Sequence, residues 1–468
     1  MPPFVALVLW LVLLVALFWW DPAKESKTPL ALWVPLIWMF IMASRLPSQW
    51  LGFQVGSATE SLEEGNPVDR AIFFGLILLA LAILISRSFK WDVFFGRNLA
   101  LTAFLLFALL SVVWSDFPFV AFKRWFRDLG NYLVVLVALS DPHPLEAVRT
   151  LLRRLGYLLI PLSILLDKYF PSLSRQFNEW TGLGMYVGAT TSKNLLGVVA
   201  MVSGLFFFWD IATRWSGRKE RRTKRIILVN VAFLAMSLSL LISANSATCR
   251  VCMVLGCLVV VAAQSKVFQR HPGFLKVLIP STFLLYLLLA YGLDLNGAMA
   301  GAVGKDPTLT DRTKIWAFVL GMRTNPLVGT GYESFWMGPR LDYVWHKAGL
   351  GGLTEAHNGY LEVYLNLGII GVVLLIGFLI SGYRNICRQL KSSPSLASLN
   401  LALWTIMLFY CVTEAGFRSG LTWAVFLLAT LALPRLAEEK THYASAFESA
   451  GTPGQFMRTP LQPTGFRR

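Results

Sequence analysis

The segment Glu355-Ala356-His357-Asn358-Gly359-Tyr360-Leu361-Glu362 places four polar or ionisable side chains where a polar stretch meets a long apolar run. Such groups are costly close to hydrocarbon and usually mark a functional site. Histidine suits proton transfer near neutrality, so His357 is the candidate acid–base residue, with Glu355, Asn358 and Glu362 placed to position it. The competing interpretation is an ordinary helix N-terminus, with Glu355 near the helix dipole and Asn358 as the cap.

Basic residues recur at the ends of apolar runs on the same predicted side of the membrane as His357. They are Lys123, Arg124, Arg127, Lys193, Arg250, Arg312, Lys314 and Arg418. Arginine offers a planar fork suited to phosphate, and lysine adds a point charge. Lys193 and Asn194 also begin an apolar run, where free helix N–H groups favour an anion. Each cation alone is more often an interfacial side chain that reaches water, but together they predict a polyanion site, most simply for a lipid diphosphate.

Other ionisable residues add little to this prediction. His346 and Glu355 are further candidates for the acid–base residue, whereas His143, His271 and His442 fall on the opposite side of the membrane. The sequence has no DxD or HxxxH motif, and too few outer carboxylates cluster along it for a metal site. We therefore expect neither a metal nor a cofactor.

The composition places these residues in a membrane protein. Hydrophobic residues make up 56% of the 468 residues and charged residues 15%, and the mean hydropathy is +0.59. A net charge of +16 would suit nucleic acid, but the basic residues lie mostly in short loops between apolar blocks. That pattern indicates membrane topology and anionic lipid, so no nucleic-acid partner is expected.

The apolar residues form blocks that predict transmembrane helices. The blocks are 4–20, 29–44, 71–86, 98–114, 128–140, 155–170, 193–212, 226–243, 250–263, 274–292, 357–380, 398–413 and 421–434. Several are shorter than the ~20 residues that a perpendicular span needs, so twelve to fourteen spans are expected. The predicted fold is an all-α polytopic membrane protein with one long structured loop on the outer side.

The basic loop 213–225 fixes the orientation. With this loop in the cytoplasm, the short loops on its side carry 21 lysines and arginines and those on the other side carry 8, as the positive-inside rule requires. Residues 1–292 then form an N-terminal helix bundle and 293–356 a large outer loop with a helix at Thr310–Arg323. Residues 357–434 form C-terminal membrane helices, and 435–468 a cytoplasmic tail predicted to be disordered.

Several motifs in order resemble the bacterial superfamily of O-antigen ligases and of O-antigen and exopolysaccharide polymerases. They are Trp114-Ser115-Asp116, Ser192-Lys193-Asn194-Leu195-Leu196-Gly197, the Ser-rich 243–248, Asp311-Arg312-Thr313-Lys314-Ile315-Trp316, Asn325-Pro326-Leu327-Val328-Gly329-Thr330-Gly331-Tyr332, and His357-Asn358-Gly359-Tyr360-Leu361-Glu362 through Leu367-Gly368-Ile369-Ile370-Gly371. Each motif is weak alone, but their order within a polytopic chain is specific and covers roughly residues 110–380.

The resemblance implies a GT-C-like helical fold in the bacterial inner membrane, with the active site facing the periplasm. Its members transfer a glycan from undecaprenyl diphosphate to an acceptor, with inversion and without a metal. By analogy His357 orients or deprotonates the acceptor hydroxyl, and Lys193 and Arg312 act beside it as the positions that carry over most directly. The predicted diphosphate ligands are Arg124, Arg127, Arg250 and Arg418, and the predicted positioning residues are Asn194, Glu355, Asn358 and Glu362.

Three functions follow in order of preference. Polymerisation of exopolysaccharide or O-antigen repeat units comes first, because the Lys193-Asn194 motif is similar to that of exopolysaccharide polymerases. An O-antigen ligase that uses lipid A–core as acceptor comes second. A lipid-linked glycan transporter comes third. It would need charges in the middle of the apolar blocks and broken helices at matching positions in two halves of the chain, whereas these blocks are almost free of charge in the middle and the sequence shows no two-fold repeat.

Overall fold

A computed structural model describes residues 1–20, 30–53, 65–177, 182, 184–266, 270, 272–289, 308–347, 351–390 and 392–432. Helices account for nearly all the regular structure in these residues. The only strand pair described there is antiparallel, β1 (Arg175–Phe177) with β2 (Gly184–Tyr186). The protein is therefore an all-α polytopic membrane protein, which confirms the predicted fold class.

The longer helices follow the predicted blocks closely. They are α1 (Pro3–Trp19), α2 (Trp33–Ala43), α3 (Pro67–Ser86), α4 (Leu99–Leu110), α5 (Pro118–Leu139), α6 (Pro144–Tyr169), α7 (Lys193–Arg214), α8 (Arg221–Ser243), α9 (Ala247–Gln264), α10 (Pro272–Leu287), α11 (Thr308–Leu320), α12 (Gly359–Gln389), α13 (Pro394–Thr413) and α14 (Leu421–Thr430). Short helical turns, Pro47–Trp50, Trp91–Arg97, Pro171–Ser174 and Gly338–Asp342, connect some of them. Apart from α11, each helix overlaps one apolar block of the sequence, although α5 and α6 begin well before their blocks, at Pro118 and Pro144.

Length and composition qualify only some of these helices as membrane spans. In the described part of the chain six helices are long and apolar enough, namely α3, α7, α8, α9, α12 and α13, and a pair bent by 96° around α4 makes up to seven. The shorter apolar helices α1, α2, α10 and α14 are 10–17 residues long by the same measure. The higher count of twelve to fourteen therefore depends on these short helices and on the charged helices α5 and α6, and it stays a prediction.

Two helices form the centre of the bundle. Helix α7 packs against α6, α8 and α9, and α13 packs against α9, α12 and α14. Both are apolar around their circumference, which is typical of helices enclosed by other helices. Trp209 of α7 donates from Nε1 to the Ser395 carbonyl at 2.9 Å and to Ser398 Oγ at 3.2 Å, which ties α7 to the start of α13.

Helix α12 is interrupted where a loop inserts against it. Gly368 has φ 63°, a left-handed conformation, and a Cβ there would lie 2.3 Å from the carbonyl carbon of Leu327. The loop satisfies the backbone groups that the break exposes: Ile370 N donates to Leu327 O at 3.2 Å, and Gly331 N donates to Asn366 O at 2.9 Å. Glycine is needed at position 368 both for its φ and for the close approach. The two motifs around Gly331 and Gly368 are thus one structural unit.

The outer loop differs from its prediction in detail. Helix α11 is Thr308–Leu320 rather than Thr310–Arg323, so it begins and ends earlier than the capping pattern indicated. The predicted turn at 329–332 is present. Residues 293–307 of the loop and the tail 435–468 lie outside the described residues, and their predictions stand untested.

Candidate active site

Several helix ends meet around one cavity. The N-terminus of α7, the hairpin 414–420 between α13 and α14, the segment before α12, and α5 enclose a volume of about 250 Å³. Its charged and amide lining residues are Arg127, Asn194, Glu333, Glu355, Glu414 and Arg418. A polar cavity of this kind at the ends of membrane helices is a candidate site for a charged ligand.

Side-chain caps fix the two helix N-termini at this site. Ser192 Oγ accepts from Leu195 N at 3.2 Å, and Asn358 Oδ1 accepts from Tyr360 N and Leu361 N, each at 3.0 Å. The helix-cap interpretation of Asn358 is therefore correct. It is compatible with the positioning role predicted for Asn358, because the cap fixes the residue directly after His357.

His357 lies between two carboxylates. Its Nδ1 is 2.9 Å from Glu355 Oε1 and 3.4 Å from Glu414 Oε2, and its backbone is left-handed with φ 50°. Burial alone would lower the pKa of His357, but the hydrogen bonds and the charges of Glu355 and Glu414 outweigh it and raise the pKa to about 10. His357 is therefore an imidazolium at neutral pH in the free protein, whereas the sequence suggested a pKa near neutrality.

Glu414 links the residues that the sequence predicted to act together. Its buried carboxylate accepts from Arg312 Nη2 at 2.7 Å and from Asn194 Nδ2 at 3.2 and 3.4 Å, in addition to facing His357. Glu414 is not among the residues predicted from the sequence, where Arg418 was the candidate in the hairpin 414–420. A lone glutamate directly after an apolar block was the signal that could have revealed it.

Arg418 joins the hairpin to the outer loop. Its Nη2 and Nε lie 2.9 and 3.2 Å from Glu333 Oε2, and its Nη1 donates to the Thr354 carbonyl at 3.0 Å. Burial would raise the pKa of Glu333, but the charges of Arg418 and Arg124 lower it overall. Glu333, which sequence analysis also missed, is thus an ionised partner that holds Arg418 beside the loop that carries His357.

The two arginines of α5 are also brought to this site. Arg127 pairs with its neighbour Asp128 at 3.1 Å, and Asp128 in turn accepts from Tyr332 Oη at 2.7 Å. Arg124 donates to the backbone carbonyl of Glu333. Arg127 lines the cavity, whereas Arg124 is not among its lining residues.

Glu362 acts on the segment that precedes His357. Its buried carboxylate accepts from Trp336 Nε1 at 3.0 Å and from the backbone N–H of Ala356. Because Ala356 is adjacent to His357, Glu362 constrains the backbone that presents the imidazole. These contacts fit the positioning role predicted for it.

Lys193 and Arg250 differ in their positions. Lys193 is the first residue of α7, next to the cavity-lining Ser192 and Asn194, and within the described residues its side chain makes no ion pair or hydrogen bond. Arg250 instead donates from Nη2 to the Ile242 carbonyl and to Asn245 Oδ1, each at 3.0 Å. Arg250 thus turns back onto the end of α8, and it is not among the residues that line the cavity.

Three potential metal ligands converge at a place where the sequence indicated too few. One atom each of Glu355, His357 and Glu414 lie within 4.8 Å of one another. The premise that outer carboxylates do not cluster is therefore wrong, because Glu414 comes from a distant part of the chain. Arg312 occupies Oε1 of Glu414, and the second oxygen, Oε2, is the one that faces His357. Metal independence stays a prediction.

The comparisons with known proteins agree with the motifs. Residues 180–376 match the family described as O-Antigen ligase. The exopolysaccharide production protein ExoQ of Rhizobium meliloti (strain 1021) is 24% identical over 311 residues, which are 64% of this chain and 67% of that protein. Both matches confirm the predicted resemblance to the superfamily of bacterial O-antigen ligases and of O-antigen and exopolysaccharide polymerases.

Proposed function

We propose that this protein transfers a glycan from undecaprenyl diphosphate to an acceptor hydroxyl at the periplasmic face of the bacterial inner membrane. The acceptor hydroxyl belongs to another repeat-unit glycan, so the reaction polymerises exopolysaccharide or O-antigen repeat units. The observation that carries the proposal is the cavity itself, where the N-terminus of α7, Arg127 and Arg418 face the same space as Glu355 and Glu414, the partners of His357. Cations for a leaving diphosphate thus lie beside an acid–base group.

The chemistry requires little beyond this arrangement. The acceptor oxygen attacks the anomeric carbon, the bond from that carbon to the diphosphate oxygen breaks, and the sugar inverts. Arg312, Arg127 and Lys193, with the free N–H groups of α7, stabilise the charge that develops on the diphosphate. Because Nδ1 of His357 faces the two carboxylates and keeps its proton there, Nε2 is the atom that takes the acceptor proton after the imidazolium has released its Nε2 proton to solvent. No step uses a metal.

A ligase is the second candidate, supported by the printed description of the matching family. A ligase would use the same donor site, but its acceptor would be lipid A–core and not a repeat-unit glycan. The name of the matching relative, an exopolysaccharide production protein, favours polymerisation. The two reactions leave different products in the cell.

A deletion strain, analysed for surface glycan, tests the proposal. We expect loss of long polymer with single repeat units still attached, whereas a ligase deletion would accumulate unattached, lipid-linked polymer. Complementation with His357→Ala or Arg312→Ala should fail at normal protein levels. His346→Ala is the matched control, because His346 is an exposed histidine of the same loop and should restore the polymer. Full polymer from His357→Ala and Arg312→Ala would refute the mechanism.

A further inference from the structure

Three arginines at or beside the cavity already have anionic partners before any substrate binds. The pairs are Arg127–Asp128 at 3.1 Å, Arg312–Glu414 at 2.7 Å and Arg418–Glu333 at 2.9 Å. A diphosphate diester brings two further negative charges into this space. Since buried unpaired charge is strongly unfavourable, the diphosphate has to compete with the resident carboxylates for these three arginines.

Glu414 differs from the other two carboxylates in the number and origin of its donors. It meets a guanidinium from α11 (Arg312), an amide from the first turn of α7 (Asn194) and the imidazole before α12 (His357). Donors that converge from three segments on one oxygen pair, at a helix N-terminus, form the geometry of an anion site. In this structure the carboxylate of Glu414 is the anion in that site.

The other two carboxylates are held by contacts that a ligand would not replace. Asp128 also accepts from Tyr332 Oη at 2.7 Å. Glu333 is bonded by both Nε and Nη2 of Arg418, and its own backbone carbonyl accepts from Arg124. These acids fix the scaffold of the cavity.

The geometry points to Glu414 as an exchangeable internal counter-ion. Its carboxylate holds Arg312, Asn194 and His357 in place in the free protein, and the diphosphate of the substrate takes over these donors when it binds. The inference rests on the proposed function, because it specifies how the same site takes up its substrate. Exchange keeps the cations paired at every stage, so the site is preorganised without an uncompensated charge.

Titration of purified protein with inorganic pyrophosphate at constant ionic strength tests the exchange. Glu414→Gln removes the competing charge and keeps an amide of the same shape, so the Kd for pyrophosphate should fall by about tenfold. Glu333→Gln is the matched control, since it removes one negative charge from the same cavity without freeing Arg312; its Kd should change much less. In an Arg312→Gln background the gain from Glu414→Gln should disappear.

Three results would overturn the inference. They are an unchanged or higher Kd in a folded Glu414→Gln protein, an equal gain in Glu333→Gln, and a gain that survives Arg312→Gln. Thermal unfolding of each variant identifies a folding defect, and Glu414→Asp repeats the comparison with the charge retained; its Kd should stay near that of the wild type.

The proposed function fails in a different way. Suppose that Glu414→Gln lowers the Kd for pyrophosphate as expected, but that wild-type protein transfers no glycan from a lipid-linked donor in proteoliposomes. The exchange is then supported and the proposed function is wrong. If transfer proceeds but pyrophosphate binds neither the wild type nor Glu414→Gln, the function stands and the exchange is refuted.

Discussion

The two ends of helix α7 both carry buried ionic clusters, and the cluster at the N-terminal end borders the cavity of about 250 Å³ described above. At the N-terminal end lie Asn194 and the Glu414 network. At the C-terminal end Asp210 is fully buried and is approached by Arg214 Nε at 2.9 Å, Arg149 Nε at 3.2 Å and Arg153 Nη2 at 3.6 Å. The residues of this second cluster do not line either of the cavities found in the described part of the chain.

The difference shows what a buried charge does in each setting. Around Asp210 the guanidinium of Arg149 also lies 4.9 Å from the Trp209 ring, and Asn230 donates to Asp210 Oδ2 at 2.8 Å, so the cluster is closed by packing. Glu414 and its donor Asn194 instead border open space of about 250 Å³. The Asp210 cluster holds α6, α7 and α8 together, whereas the Glu414 cluster is the one that we propose offers its donors to a ligand.

The largest expected effect comes from disrupting the Asp210 cluster. Asp210→Ala leaves three arginines without their shared carboxylate, and loss of one partner of a buried ionic group typically costs about 3–5 kcal/mol. We expect a sharply lower yield and unfolding temperature in detergent, measured by thermal unfolding. The surviving folded molecules should transfer glycan at the wild-type rate.

Glu414→Ala should lose less stability than Asp210→Ala, but it should lose most of its glycan-transfer activity. If Asp210→Ala abolished transfer in protein that unfolds at the wild-type temperature, the distinction between a packing cluster and a ligand cluster would be wrong.

A second prediction concerns the backbone that supports the Glu414 cluster. Gly368→Ala forces an L residue into φ 63° against the Leu327 backbone, and such strain costs of the order of 1–3 kcal/mol. The unfolding temperature and transfer should both fall. Gly377→Ala, in the same helix with open space around its Cβ position, is the matched control and should be neutral or slightly stabilising. Equal effects of the two changes would show that the break in α12 does not support the site.

The third prediction concerns His357 of the Glu414 cluster. The pKa of His357 is raised to about 10, so between pH 7 and 10 the neutral, basic form grows as the pH rises. If His357 Nε2 accepts the acceptor proton, the transfer rate should rise by up to about tenfold per pH unit in this range and level off near pH 10. Initial rates with a lipid-linked donor in proteoliposomes would measure this, with unfolding monitored in parallel.

A transfer rate that falls as the pH approaches 10 would instead assign His357 the role of a cation for the diphosphate. The stability that His357 derives from its carboxylates follows the same sign: it is fully present below the unfolded pKa of about 6.5 and is lost as the pH rises through about 10. A slow decline in unfolding temperature is therefore expected alongside the rise in rate.

Sequence alone predicted the helices and several members of the site for physical reasons that the structure makes clear. Apolar blocks define membrane helices locally, so their positions need no tertiary information. His357, Arg312 and Asn194 were recognised because polar groups at helix ends are unusual. Their common partner Glu414 lies on a separate hairpin, and only folding places it between them.

Position along the chain also cannot tell which way a long side chain turns. Arg127 and Arg250 looked equivalent in sequence, as outer-side arginines near helix ends. In the structure Arg127 borders the cavity and Arg250 bonds to the preceding helix. The competition between a ligand site and a local carbonyl is decided by tertiary geometry, which a single sequence does not contain.

The smallest effect is expected at Arg250, and it sharpens the comparison by separating charge from position. Arg250→Gln removes the same charge as Arg312→Gln, but Arg250 donates only to the Ile242 carbonyl and Asn245 Oδ1 at an exposed helix end. Such contacts contribute at most about 1 kcal/mol, so transfer should stay within about twofold of the wild type. Arg312→Gln should lower transfer by about a hundredfold, because its guanidinium holds Glu414 and is proposed to bind the diphosphate. Equal losses in the two variants, measured at equal protein levels, would mean that net outer charge governs donor binding and that the Glu414 cluster has no special part in it.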